Sequence, residues 1–220
     1  MFECDAKLSA DGILFLMHDA ELLRTTNASA RFGAGVSNVG GDHSWSALSQ
    51  LDAGSWHSRS FAGEPLPTLE AAAHFCIGNG YLLNIEIKPT PGTEFRTGEV
   101  VAKQAARWWR GVAVPPLLTS FDIPALEGAL AAEPLLPRGL LIDALENQPW
   151  SDWLDKALAL KCKAIVCNHA LWNASTVAQA KAAGFRTLSY TVNEAPEAQR
   201  LLALGTDGII TDRVDLFSPA

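Results

Sequence analysis

Two short runs hold the residues best suited to chemistry. "FECDAKL" carries Glu3 and Asp5 two positions apart, and "YLLNIEIK" carries Glu86 and Lys88 at the same spacing. Side chains alternate across a β-strand, so each pair projects to one side of its strand. Charges inside a closely packed sheet are costly unless they form a site. Hard cations such as Mg2+ and Ca2+ take oxygen ligands, and Mg2+ keeps several waters. Glu3, Asp5 and Glu86 are therefore candidate ligands of one divalent cation, whose open positions can polarise a phosphoryl oxygen. Spacing alone leaves open a second reading, with Glu3 and Asp5 as solvated acids at a frayed terminus. Lys88 can complement a phosphate charge beside the cation, or pair with Glu86. Pro89 stops the strand just after it, as at a loop mouth. His18 ends the run "ILFLM" and precedes Asp19. Histidine titrates near neutral pH, which suits a general acid or base beside a metal site, although a lone histidine is more often structural. His43, His57, His74 and His169 fall in loops or on a helix face and read as ordinary.

These residues need elements to position them, and hydrophobic period and punctuation supply a list. "FECDAKL" reads as a strand. "GILFLMHD" follows as a hairpin-like partner after the turn at Asp11-Gly12. Residues 24–67 are rich in Gly, Ser, Asn and Asp, and read as an elaborated loop region with a short helical piece near "SWSALSQLDAG". "PTLEAAAHFC" reads as a helix with Thr68 as N-cap. A regular rhythm follows. Strands "YLLNIEIK", "PLLTSF", "RGLLID", "AIVC", "RTLSYTV" and "GIIT" are separated by helices "GEVVAKQAARWWR", "IPALEGALAA", "SDWLDKALAL", "NASTVAQAKAAG" and "APEAQRLLALG". Such alternation implies an α/β protein with a parallel sheet. Val, Ile and Leu dominate the strands, as expected when both faces are buried.

Six strands in the rhythmic part plus "FECDAKL" make seven. A (β/α)8 barrel needs eight, and a doubly wound sheet can use seven. The carboxylates favour the barrel, because C-terminal strand ends converge there on one mouth. The fold expected is thus a (β/α)8 TIM-type barrel missing its first strand and helix. "TSFD", "YTVN" and "IITDR" close three strands with polar residues that would face such a mouth. Tyr190 is placed to pack against a substrate carbon skeleton. Asn193 and Asp212 are equally readable as loop caps. The seven tryptophans read as core and helix packing rather than a binding face.

The bulk numbers bound the rest. A chain of 220 residues that is 48% hydrophobic suits one domain over 1–220 with a sizeable core. A net charge of −7 argues against nucleic acid, which needs a basic face, but not against a small anionic ligand. Cys4, Cys76, Cys162 and Cys167 form no CxxC pair and read as reduced thiols. The N-terminus lacks a signal-peptide pattern, and no apolar run approaches the roughly 20 residues of a membrane span. A soluble cytoplasmic protein with no integral membrane segment is the expectation.

The runs "ECDAKLSADG", "MHDAELLRTTN", "LDAGSW", "PTLEAA", "LNIEIKP", "TSFD", "YTVNE" and "GTDGIITDR" occur in that order from about residue 1 to about residue 215. Together they resemble the glycerophosphodiester phosphodiesterase family, and look especially like its bacterial cytosolic members. The resemblance implies a (β/α)8 barrel with a small insertion after the second strand. It implies hydrolysis of glycerophosphodiesters, such as glycerophosphocholine or glycerophosphoethanolamine, to glycerol 3-phosphate and an alcohol. It also implies a divalent cation on residues matching Glu3, Asp5 and Glu86, a phosphate near Lys88, and His18 as the second of two acid/base histidines. Members of the family begin upstream with a strand carrying "HRG" and a helix introduced by "PENT", and neither string occurs here. The implied first catalytic histidine, its arginine and an active-site glutamate therefore have no counterpart, and "MFECDAKLSADG" matches the second barrel strand. A misplaced start, a fragment and a genuinely shortened protein all fit. Alternatives to the hydrolase are an inactive phosphate- and metal-binding barrel, or action on another phosphodiester such as a lysophospholipid. A barrel lacking one strand exposes sheet edges, so the chain is expected to be unstable, homo-oligomeric or dependent on a partner segment.

Overall fold

A computed structural model describes residues 1–217. The first hairpin joins β1 (Phe2–Leu8) to β2 (Leu14–Leu16) through the predicted Asp11-Gly12 turn, where Gly12 takes a φ of 88°. Asp11 Oδ1 accepts the Ser9 hydroxyl at 2.7 Å and the Trp45 N–H at 2.8 Å, tying the turn to the excursion that follows. That excursion carries α1 (Ala28–Phe32) and α2 (Trp45–Leu48). It buries its own apolar centre, with Phe15, Leu22, Leu48, Leu51 and Leu66 packed together.

The regular part begins with α3 (Leu69–Gly78), capped by Thr68, whose hydroxyl accepts the Ala71 N–H. Then come β3 (Leu83–Ile87), α4 (Glu94–Trp108), β4 (Leu117–Ser120), α5 (Ile123–Ala132), β5 (Arg138–Ile142) and α6 (Trp150–Ala159). The last units are β6 (Ala164–Asn168), α7 (Ala174–Ala182), β7 (Arg186–Tyr190), α8 (Ala195–Leu204) and β8 (Gly208–Ile209).

All eight strands form one curled sheet in the order β2-β1-β3-β4-β5-β6-β7-β8. β2 is antiparallel to β1, and every other pairing is parallel. The seven parallel strands are the seven runs expected from the sequence, and the sheet is an open barrel with β2 and β8 at its ends. Two apolar cores join its strands to the helices. One packs α3, α4 and α5 against β1, β3 and β4 around Ile85, Val101 and Leu118. The other packs α6, α7 and α8 against β5 and β6 around Leu140, Ile165 and Trp172. The four cysteines are free thiols, three of them buried. Among the described residues no helix is long and apolar enough to cross a membrane.

Helix α4, which packs on β1 and β3, and helix α5, which packs on β4 and β5, approach closely through two glycines. A Cβ on Gly98 would stand 1.8 Å from the Ala125 carbonyl oxygen, and one on Gly128 would stand 2.0 Å from that of Phe95. Both neighbours are backbone, so relief requires the helices to separate. Alanine gains about 1 kcal/mol over glycine in an isolated helix, whereas overpacking costs about 1–3 kcal/mol or more. Gly128→Ala is therefore expected to lower the urea midpoint with an unchanged m-value. A midpoint equal to or above that of the parent would contradict this packing.

Candidate active site

The parallel register of β1 on β3 assembles the acidic cluster. It sets Glu3 beside Asn84 and Asp5 beside Glu86. Because side chains alternate, Glu3, Asp5 and Lys7 share one face of β1, and Asn84, Glu86 and Lys88 share the matching face of β3. Two acidic rows are thus followed by a basic one. Carboxylate oxygens of Glu3, Asp5 and Glu86 lie within 4.8 Å of one another. Lys88 Nζ donates to Asp5 Oδ1 at 3.2 Å and stands 3.5 Å from Glu86 Oε1. The second contact is an ion pair and not a hydrogen bond, so Glu86 Oε1 is buried without a hydrogen-bond partner among the described residues.

One lysine does not balance three carboxylates. The Glu3 carboxyl is pushed up to about 8, first by loss of hydration and then by Asp5 and Glu86, although much of the residue is open to solvent. Burial also raises Glu86, against the opposing pull of Lys88. Lys7 is nearly sealed from solvent, 2% exposed, and donates to the Lys88 carbonyl at 3.0 Å, clipping that strand end in place. Its amine is pulled down to about 8 by burial and then by Lys88. An all-oxygen donor set with an orphaned buried oxygen fits a hard divalent cation. The same three residues are those picked out by sequence.

His18 reaches the cluster from the hairpin. The Met17 N–H donates to the Asp5 carbonyl at 3.1 Å, which carries the chain beyond β2 alongside β1. His18 Nδ1 lies 2.8 Å from Asp19 Oδ1. Arg24 grips the same carboxylate with Nε at 2.5 Å and Nη2 at 2.9 Å. The bonds from Arg24 and His18 hold the Asp19 carboxyl well below the usual carboxylate range. An ionised Asp19 can only accept, so Nδ1 carries the proton and Nε2 is the free nitrogen of the neutral ring.

Glu3, Asp5, Glu86 and His18 line one cavity of about 350 Å³, together with Lys88 and Tyr190. Every site residue expected from the sequence is therefore brought together. Tyr190 meets Phe121 edge-to-face at 5.7 Å, and both line the cavity. The Tyr190 hydroxyl donates to Asp143 Oδ1 at 3.2 Å, and burial with that carboxylate pushes its pKa up. Asn193 Oδ1 accepts the Asp212 N–H at 3.0 Å while its Nδ2 donates to Asp212 Oδ2 at 3.1 Å, so the loop-cap role holds, and Asp212 also lines the cavity. Sequence reasoning did not single out Lys7, Asn84, Phe121, Asp19 or Arg24. The strand alternation that found Glu3 and Glu86 also contains Lys7 and Asn84, and Asp19 adjoins His18. Arg24 lies in the irregular excursion, where no period marks it.

Comparison with known proteins bears on the family and the fold. The model of the "Glycerophosphoryl diester phosphodiesterase family" matches residues 1–216. A glycerophosphodiester phosphodiesterase of Caldanaerobacter subterraneus is 29% identical over 216 residues, covering 96% of this chain and 81% of that protein. One of Bacillus subtilis is 27% identical, covering 98% and 74%. Among solved structures, a phosphodiesterase of Oleispira antarctica in complex with its product sn-glycerol-3-phosphate superposes with a TM-score of 0.81. It is 30% identical, with 96% of this chain and 80% of that one covered. A glycerophosphodiester phosphodiesterase from Agrobacterium tumefaciens shares the fold, with a TM-score of 0.75 at 24% identity over 98% of this chain and 84% of that one.

The raised Glu3 carboxyl makes stability of the metal-free protein depend on pH. Its folded value of about 8 lies above the ordinary 4.5. Folded protein thus keeps a proton that unfolded protein has released, so stability falls as pH rises through this window. Glu3→Gln is expected to flatten the fall in Tm between about pH 5 and about pH 8. Parallel Tm–pH curves for the parent and the variant would contradict it.

Proposed function

The chain belongs to the glycerophosphoryl diester phosphodiesterase family, and we propose that it hydrolyses glycerophosphodiesters to sn-glycerol 3-phosphate and an alcohol. Glu3, Asp5 and Glu86 would hold a divalent cation, Mg2+ or Ca2+. The observation that carries this reading is the meeting of three carboxylates within 4.8 Å in one cavity with Lys88, His18 and Tyr190. The 30%-identical relative in complex with sn-glycerol-3-phosphate supports the same product class.

When bound, the cation supplies positive charge that offsets charge on the phosphoryl oxygens. Lys88 adds a fixed positive charge at the end of β3, where Lys7 anchors its backbone. In the net reaction water adds to phosphorus, the bond from phosphorus to the alcohol oxygen breaks, and a proton ends on the alcohol. His18 Nε2 exchanges a proton with the attacking or leaving oxygen, while Asp19 holds Nδ1 and so fixes the ring. Tyr190 and Phe121 form a wall against which glycerol carbons pack.

The test is release of glycerol 3-phosphate from glycerophosphocholine in the presence of Mg2+ or Ca2+. Chelation is expected to abolish turnover, and either cation to restore it. His18→Ala is expected to lower kcat by about 100-fold or more while leaving KM near the parent value. Lys88→Met is expected to raise KM as well. An unchanged kcat in His18→Ala refutes the proton role. Binding of glycerol 3-phosphate without turnover would make this a phosphate-binding barrel instead.

A further inference from the structure

His18 has little of its own to hold it. Its side chain is 64% exposed, and Asp19 is its one polar side-chain partner among the described residues. Asp19 depends in turn on the fork of Arg24, which is itself 57% exposed. The guanidinium of Arg24 stands 5.8 Å from the ring centroid of Trp56, within cation–π range. Trp56 was expected in a packed interior, yet it is 53% exposed, whereas Trp109, Trp150, Trp153 and Trp172 are buried.

The loop carrying Trp56 is firmly built. Trp56 Nε1 donates to the Ala53 carbonyl at 2.8 Å, and the His57 ring meets Trp56 edge-on at 5.7 Å. The Asp52 carboxylate gathers the N–H groups of Gly54, Ser55 and Gly63 and the Ser55 hydroxyl. A Cβ on Gly54 would stand 1.9 Å from the Phe61 carbonyl oxygen, so the loop closes tightly on itself. Neither Arg24 nor Trp56 lines the substrate cavity.

We infer that Trp56 and Arg24 are positioning residues for His18. The Trp56 face steadies the guanidinium, its fork fixes Asp19, and Asp19 holds Nδ1 so that Nε2 faces the cavity. This gives the excursion between β2 and α3 a part in the reaction without contact with substrate. The inference rests on the assignment of His18 as the proton-transfer group.

Kinetics and ring spectroscopy test it together. Arg24→Met and Trp56→Ala are each expected to lower kcat about 10- to 100-fold with KM within about twofold. Trp56→Phe keeps an aromatic face and is expected to retain most of kcat. Arg24→Lys keeps the charge but not the fork, and is expected to lose activity like Arg24→Met. Because the contacts act in series, the double variant Arg24→Met/Trp56→Ala is expected to be no slower than Arg24→Met alone. By 15N NMR the neutral His18 ring is expected to hold its proton on Nδ1 in the parent and to become a tautomer mixture in Arg24→Met. That spectrum decides the positioning role even if the parent chain hydrolyses no glycerophosphodiester, an outcome that would defeat the proposed function alone. Should Arg24→Met fail to fold, Trp56→Ala carries the same measurements. A raised KM with kcat retained would make Arg24 a substrate ligand and overturn the inference. So would kcat and His18 signals that stay unchanged.

Discussion

Mutual repulsion among Glu3, Asp5 and Glu86 is the constraint on which the rest of this structure depends. At an effective dielectric near 20, two unit charges about 4–5 Å apart repel by roughly 3–4 kcal/mol. The carboxylates nevertheless meet within 4.8 Å, because β1 and β3 are locked in a parallel register with apolar packing behind them. Two relieving features are built in. Lys88 sits against Asp5 and Glu86, and Glu3 retains its proton to about pH 8. Both leave Glu86 Oε1 buried without a hydrogen-bond partner among the described residues. A divalent cation would satisfy all three groups together, and a phosphate could then take over the charge of Lys88.

Two kinds of scaffold meet at the cavity. The acidic cluster, Lys7 and Lys88 stand on paired strands, where the ladder fixes each Cα. His18 stands beyond the short strand β2, next to Met17, whose N–H donates to the Asp5 carbonyl, and it meets a chain of surface contacts through Asp19, Arg24 and Trp56. The charge-bearing half of the site is thus anchored in the sheet. The half that carries His18 adjoins the excursion, whose own apolar centre includes Phe15 of the hairpin.

Legibility in the sequence follows the same division. Strand alternation alone placed Glu3 with Asp5 and Glu86 with Lys88, because a period of two survives folding unchanged. Apolar runs of Val, Ile and Leu marked each parallel strand, and Thr68 announced its helix through a hydroxyl that needs only its own backbone. The expected span of α5 is the observed one, Ile123–Ala132. The excursion was legible only as a region. Leu22, Leu48, Leu51 and Leu66 converge from irregular spacings, so no periodic pattern betrays their centre. Trp56 was misread for a related reason: aromatic residues usually report burial, and its cation partner lies 32 positions away in the sequence. The pairing of Asp5 with Glu86 is also non-local, and only strand-end polarity and the family resemblance suggested it.

The most direct measurement is an experimental structure of this chain with sn-glycerol 3-phosphate and Mg2+ or Ca2+. One cation is expected about 2.0–2.6 Å from an oxygen of each of Glu3, Asp5 and Glu86, with a phosphate oxygen completing its shell and Lys88 Nζ turned toward the phosphate. A phosphate seated away from these carboxylates, or a cation bound elsewhere while Lys88 keeps its pairing with Asp5, would contradict the account.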